Sequence, residues 1–217
     1  MNRHRPGRYT TPKGSQAEFE PGSRGRVLWN RLGLRRKHEV DQVEYEALLR
    51  AQTLWLNRIG PEPRFTADMI CRMHREWLGR LYDWAGQYRT VELSKGDFRW
   101  PPAYRVEANM TAFEQGVLRR HTPCRLGPVH EVARRIAEVH AELLLIHPFR
   151  EGNGRLERWL ADLMAFQAGL PAPAYGFVGQ GSRARRARYL AAVKQGYVKN
   201  YDALTEFFAE AMERRRE

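Results

Sequence analysis

Apolar positions follow a helical period along most of the chain. Over residues 40–59, Val43, Leu48, Leu49, Leu54 and Leu56 recur among charges, and Gly60-Pro61 closes the segment. Thr66 can cap a second helix, where Met69, Ile70, Met73, Trp77, Leu78 and Leu81 keep the period. Residues 105–120 form a less regular candidate. The strongest period runs over 129–146, through Val132, Ile136, Val139, Leu143 and Leu144. A helix over 153–168 follows, with Leu156, Trp159, Leu160 and Leu163 on one face, and Gly169 to Pro173 stop it. Residues 183–198 and 201–214 predict two more, with Leu190, Val193, Tyr197, Leu204, Phe207, Phe208 and Met212 facing inward. The pattern changes over 88–101, where 88–93 and 98–100 read as short strands around Ser94-Lys95-Gly96-Asp97. The predicted fold class is all-α with one β-hairpin.

Residues 1–39 are rich in Gly, Pro, Ser and Arg and read as an N-terminal arm, with Val27, Leu28, Trp29, Leu32 and Leu34 as its anchors. Residues 40–217 read as the domain proper. A chain of 217 residues, 42% hydrophobic with six tryptophans, suits one globular domain. No apolar run reaches the roughly 20 residues of a membrane helix. The basic start MNRHRPGRYTTPKG has no apolar stretch behind it, so a signal peptide is not expected. Cys71 and Cys124 show neither metal spacing nor a disulfide framework, which points to a cytoplasmic location. The net charge of +12 is dispersed arginine, read mainly as solvated face rather than a nucleic-acid surface.

Chemistry concentrates in His147-Pro148-Phe149-Arg150-Glu151-Gly152-Asn153-Gly154-Arg155-Leu156-Glu157-Arg158. Pro148 disfavours helical geometry at His147, so the preceding helix stops there and presents the imidazole at a loop. Gly152 and Gly154 permit a tight turn and close approach of a ligand to the backbone. Asn153 reads as an N-cap, and the N–H groups beyond it form an anion site. Arg155 and Arg158 share a helix face and add charged donors. Together these residues suggest a phosphate-handling active site. His140 reads as a core histidine.

The stretch resembles the signature of the Fic family, HPF-x-[D/E]-GNGR-x-x-R, at every specified position. The segment Trp84-Ala85-Gly86-Gln87-Tyr88-Arg89-Thr90 and, less specifically, Glu20 to Ser23 are also similar to Fic proteins. The resemblance implies a helical bundle whose β-hairpin is a flap, and a protein adenylyltransferase moving AMP from ATP to a Ser, Thr or Tyr hydroxyl of a target protein. It implies His147 as general base and Glu151 as the Mg²⁺ ligand. Gly152, Asn153 and Gly154 would form the anion hole, with Arg155 and Arg158 on the β- and γ-phosphates. Lys95, Gly96 and Phe98 of the flap would align the target as an added strand.

The related Doc-type branch transfers phosphate and carries Lys where this chain has Gly154. Other nucleotides, phosphoryl transfer, de-AMPylation and a non-catalytic scaffold binding nucleic acid or protein remain alternatives, as does a homodimer. Many Fic proteins carry an inhibitory [S/T]-x-x-x-E-[G/N] helix. No Ser or Thr here is followed by Glu four residues later, which opens control by a separate antitoxin-like protein.

Overall fold

The computed structural model describes residues 15–213. The basic stretch 1–14, and Arg214 at the end of the last predicted helix, lie outside the described residues. The chain divides into two compact units. One takes Met1–Trp55, Ala67–Met110 and Ile146–Asn153; the other takes Leu56–Thr66, Thr111–Leu145 and Gly154–Glu217.

In the first unit, helix α1 (Lys37–Arg58) buries Val40, Glu44, Ala47, Ala51 and Trp55. These positions recur at three- and four-residue steps. Three leucines of its apolar pattern lie off that face: Leu49, Leu54 and Leu56 are 46%, 48% and 45% exposed. Small alanines and one tryptophan define the packed face, so counting leucines selects the wrong side of the helix. Helix α2 (Ala67–Leu78) buries Ile70, Met73, His74, Trp77 and Leu78, a regular apolar stripe with one histidine in it. The Trp77 indole donates to the Glu44 carbonyl at 2.8 Å, and the Tyr82 hydroxyl donates to Oε1 of Glu44 at 2.8 Å.

The described part of the arm is folded onto this unit. Val27 and Leu28 are buried, whereas the predicted anchors Trp29 and Leu32 are 41% and 49% exposed. Polar bonds do the remaining anchoring. Glu20 Oε1 accepts from the Asn30 backbone N–H at 2.9 Å, and Asn30 Nδ2 donates to the Leu34 carbonyl at 2.8 Å. The Glu20–Ser23 stretch therefore has a structural role.

The hairpin is shorter than predicted and shifted toward its turn. Strands β1 (Ser94–Lys95) and β2 (Phe98–Arg99) pair antiparallel, Ser94 with Arg99 and Lys95 with Phe98. Residues 88–91 are irregular because their backbone groups bond elsewhere: the Arg89 N–H donates to the Pro148 carbonyl at 2.8 Å. Val91, Leu93 and Trp100 form a small apolar cluster at the base of the hairpin.

The irregular pattern over 105–120 has a structural counterpart. Helix α3 (Val106–Phe113) runs through a π turn (Glu114–Leu118) into the single turn α4 (Arg119–His121).

In the second unit, helix α5 (Val129–Ile146) buries Val132, Ile136, Val139, Ala141 and Leu143. That span is the one its period predicts. Helix α6 (Asn153–Gln167) buries Leu156, Trp159, Leu160 and Leu163. Helices α7 (Ser182–Gly196) and α8 (Asp202–Glu213) complete the unit. The inner face of α7 is Tyr189, Ala192, Val193 and Gly196, and the predicted Leu190 is 43% exposed. Gly196 fixes that choice: a side-chain carbon there would sit 2.6 Å from the Cβ of Ala141. No helix among the described residues is long and apolar enough to cross a membrane.

Candidate active site

Helix α5 ends at Ile146, and His147 adopts a left-handed backbone, φ 52°, ahead of Pro148. Such geometry costs a non-glycine residue about 1–3 kcal/mol and persists where the surroundings enforce it. Arg89 does the enforcing. Its Nε donates to the His147 carbonyl at 2.8 Å and its Nη1 to the Val91 carbonyl at 2.9 Å. Its Nη2 reaches the carbonyls of Pro101 and Ile146 at 2.5 and 3.5 Å. Burial lowers the Arg89 pKa, but a guanidinium starts so high that it stays charged at neutral pH.

The His147 imidazole lies at a loop as predicted, but it is covered. Its ring stacks on Trp100 with centroids 4.1 Å apart, and the residue is 5% exposed. Phe98 meets Trp100 edge-on at 5.2 Å, so this flap residue reaches His147 through the intervening indole. Lys95 and Gly96 lie at the turn end of the hairpin, Gly96 with φ 59°.

The loop after His147 is closed by its own side chains. Asn153 Oδ1 accepts from the Phe149 N–H at 2.9 Å, and its Nδ2 donates to the Phe149 carbonyl at 2.7 Å. Asn153 thus clamps the loop behind it instead of capping the helix ahead, contrary to the N-cap expectation. Gly152 has φ 85°, and a Cβ there would lie 2.9 Å from Cζ3 of Trp77. Both facts require glycine. Glu151 is half-buried, and its Oε1 accepts from the Gly152 N–H at 3.1 Å.

His74 supports this loop from α2. Its Nδ1 accepts from the Gly86 N–H at 2.8 Å, so the proton of the neutral ring is on Nε2. That nitrogen lies 3.0 Å from the Glu151 carbonyl, which accepts its proton. The ring also stacks on Phe149 at 4.0 Å. Arg150, 1% exposed, donates from Nε to the Gln16 carbonyl at 2.5 Å. Gln16 in turn accepts from the Thr90 N–H at 2.9 Å and donates to the Tyr88 carbonyl at 3.3 Å.

His147, Glu151, Gly152, Asn153 and the flap residues Lys95, Gly96 and Phe98 all belong to the first unit. Gly154, Arg155 and Arg158 belong to the second, on α6. Arg155 and Arg158 are half-buried there. A Cβ at Gly154 would lie 3.6 Å from Nη1 of Arg158, an ordinary contact, so packing alone does not demand glycine at that position.

Arg158 has an aromatic cradle. Its guanidinium lies 5.9 Å from the Tyr175 ring centroid and 5.7 Å from that of Phe177. The Tyr175 hydroxyl donates to the Arg158 carbonyl at 3.0 Å. On the same unit, His140 and Glu157 are 2% and 1% exposed. Burial drives the His140 pKa down to about 3, with the Arg158 charge acting in the same sense. Burial raises Glu157 well above the usual carboxylate range, which favours its neutral form.

Arg89, His74 and Trp100 meet the site through contacts that no sequence motif marks. An arginine and a histidine set among apolar residues were signals for Arg89 and His74.

Residues 64–165 match the model of the Fic/DOC family. Over 145 residues the chain is 32% identical to the probable protein adenylyltransferase Fic of Salmonella typhimurium, covering 66% of this chain and 70% of that protein. The chain belongs to the Fic/DOC family. A Fic relative of greater length, the protein adenylyltransferase VbhT of Bartonella schoenbuchensis, is 29% identical over 143 residues, or 66% of this chain and 30% of VbhT. The Fic fold also extends to BepC of Bartonella tribocorum, a structure with bound AMPPNP. That likeness has a TM-score of 0.69 at 19% identity and covers 91% of this chain and 96% of BepC.

Proposed function

We propose that this Fic protein is a protein adenylyltransferase that transfers AMP from ATP to a hydroxyl side chain of a target protein. The observation that carries this reading is the complete motif from His147 to Arg158, with His147 held in a left-handed conformation by Arg89. His147 takes the proton of the target hydroxyl. The hydroxyl oxygen bonds to the α-phosphorus, the bond from that phosphorus to the bridging oxygen breaks, and pyrophosphate leaves. A base positioned in this way contributes about 10²–10⁴-fold.

The remaining roles follow from charge and geometry. Backbone N–H groups of Gly152, Asn153 and Gly154 stabilise negative charge at the phosphates. Arg155 binds the β-phosphate and Arg158 the γ-phosphate. Among the described residues no group of three or more His, Cys, Asp or Glu side chains could hold a metal ion. Glu151 by itself fits Mg²⁺, which is satisfied by one or two carboxylates completed by nucleotide phosphates and water. Bound there, the ion would offset phosphate charge.

The target is a Ser, Thr or Tyr side chain presented by a segment that pairs with the hairpin at Lys95, Gly96 and Phe98. Gly154, where phosphate-transferring relatives carry Lys, favours AMP transfer. The protein acts in the cytoplasm, under control of a separate antitoxin-like partner, since the chain has no Ser or Thr four residues before a Glu.

The deciding experiment labels a target lysate with ATP carrying ³²P at the α- or γ-position, using wild type and His147→Ala. AMP transfer gives protein label from the α-position only, and His147→Ala abolishes it. Protein label from the γ-position would overturn the proposal in favour of phosphoryl transfer.

A further inference from the structure

Residues 16–19 of the arm engage the supports of the candidate site one after another. The Gln16 carboxamide bridges two main-chain groups: its Oε1 accepts from the Thr90 N–H at 2.9 Å, and its Nε2 donates to the Tyr88 carbonyl at 3.3 Å. The Gln16 carbonyl accepts from Nε of Arg150 at 2.5 Å. Ala17 packs against the cluster of Val91, Leu93 and Trp100, and Trp100 stacks on His147. The Phe19 ring centroid lies 6.0 Å from the Arg150 guanidinium. The arm is held by its own pairing, in which the Trp29 N–H donates to the Glu18 carbonyl and the Glu20 N–H to the Val27 carbonyl, each at 2.9 Å.

Burial gives these bonds weight. Gln16 is 4% exposed and Arg150 1%. A buried guanidinium stays charged and only donates, so it has to end on acceptors such as carbonyls. A carboxamide that accepts and donates at once serves residues 88–90 as a neighbouring strand would, since it meets one N–H and one carbonyl two residues apart. Arg89, between those two bonded residues, is the side chain that holds the His147 carbonyl. Arg150 directly precedes Glu151, whose own carbonyl is held by His74. Gln16 therefore joins the support of the imidazole to the loop that carries the carboxylate.

We infer that Gln16 is a positioning residue, clasping residues 88–90 to Arg150 so that His147 and Glu151 keep the mutual geometry that AMP transfer requires. The inference rests on the roles of His147 and Glu151 proposed above. Gln16 touches no substrate. Its loss should open the motif loop locally, lower turnover and raise the Mg²⁺ requirement, while the helices of the same unit stay folded.

Amide hydrogen exchange read by NMR, together with transfer of α-³²P-AMP to target protein, tests this on the full chain with Gln16→Ala, Arg150→Leu and the two combined. Gln16→Ala keeps the main-chain carbonyl and removes only the bonds to Tyr88 and Thr90. The Arg89 and Phe149 amides, which Gln16 does not itself bind, are expected to exchange at least about tenfold faster, and those of Met73 and Trp77 in α2 to change less than about twofold. For transfer, kcat should fall about tenfold and half-saturation by Mg²⁺ should rise, with the target KM within about twofold of wild type. The combined variant should be no worse than the stronger single one, because both act through one clasp. Equal acceleration in α2 would reject positioning in favour of a general structural role, and additive losses in kcat would reject a shared clasp. Wild-type exchange and kcat in Gln16→Ala would reject the inference outright. Absence of α-label from the wild type would overturn the AMP-transfer reading and the catalytic role of Gln16 with it. Exchange is measured without substrate, so it separates that outcome from failure of the clasp itself.

Discussion

Arg89 Nε donates to the carbonyl oxygen of His147 at 2.8 Å, and the same guanidinium bonds the carbonyls of Val91, Pro101 and Ile146. One buried side chain therefore joins the end of α5, the candidate base and both flanks of the hairpin. Lysine has a charge but no planar fork to reach these acceptors together. Arg89→Lys is expected to lower stability by about 2–4 kcal/mol, since it leaves buried carbonyls unsatisfied. It should also lower AMP transfer more than tenfold. Urea unfolding and labelling of target by α-³²P-ATP measure the two effects. Wild-type stability in the variant would contradict this role for Arg89.

His74 holds the Glu151 carbonyl and the Gly86 N–H with its two ring nitrogens. His74→Phe can keep the stack on Phe149 but removes both bonds. The expected loss is about 1–3 kcal/mol of stability. A raised Mg²⁺ requirement for AMP transfer should accompany it, because the loop bearing Glu151 is no longer fixed. An unchanged Mg²⁺ titration would separate His74 from that loop.

Gly152→Ala meets two obstacles: φ 85° and a contact of 2.9 Å with Cζ3 of Trp77. Destabilisation of about 1–3 kcal/mol is expected from backbone strain and overpacking. Gly154→Ala faces only an ordinary 3.6 Å contact with Arg158 and should change stability by less than about 1 kcal/mol. Thermal melts of the two variants compare these neighbouring glycines directly. Equal losses would mean that close approach to Trp77 is not what demands glycine at 152.

Glu157 and His140 give a pH prediction with a defined sign. Folding holds Glu157 protonated and His140 neutral, the latter with its pKa near 3. Between their ordinary values of 4.5 and 6.5, the unfolded chain instead ionises both. The number of bound protons is then the same in both states, so this pair contributes no slope. Above 6.5 the folded state alone keeps the Glu157 proton, and stability falls as pH rises. Below 4.5 the unfolded state binds the extra proton on His140, and stability falls as pH drops toward about 3.

Glu157→Gln should remove the alkaline loss and uncover the His140 slope throughout the range below 6.5, at up to about 1.4 kcal/mol per pH unit. Denaturant unfolding of wild type and variant from pH 4 to 9 measures the difference. Parallel curves would mean that Glu157 is ionised in the folded protein.

The helices and their chemistry were legible to different degrees for physical reasons. The span of α5 follows from its period because a helix buried along one face repeats its apolar residues locally. The face of α7 was misread at Leu190 because burial depends on the opposing surface. Alanines and Trp55 fill the packed side of α1, and Gly196 against Ala141 selects the packed side of α7. The hairpin was placed by its Gly-Asp turn, but its strands were drawn too long because Arg89 takes the preceding backbone to Pro148 instead.

By itself the sequence determined the helical class, the hairpin and the contiguous motif from His147 to Arg158. Those features depend on periods and spacings of a few residues, which the order of the chain contains directly. Tertiary structure decided what holds the motif: Arg89 on His147, His74 on Glu151, and Trp100 over the imidazole. Each pair joins residues far apart in the chain. Such a pair is selected by which buried donors and acceptors meet once water is excluded, and no local pattern records that choice.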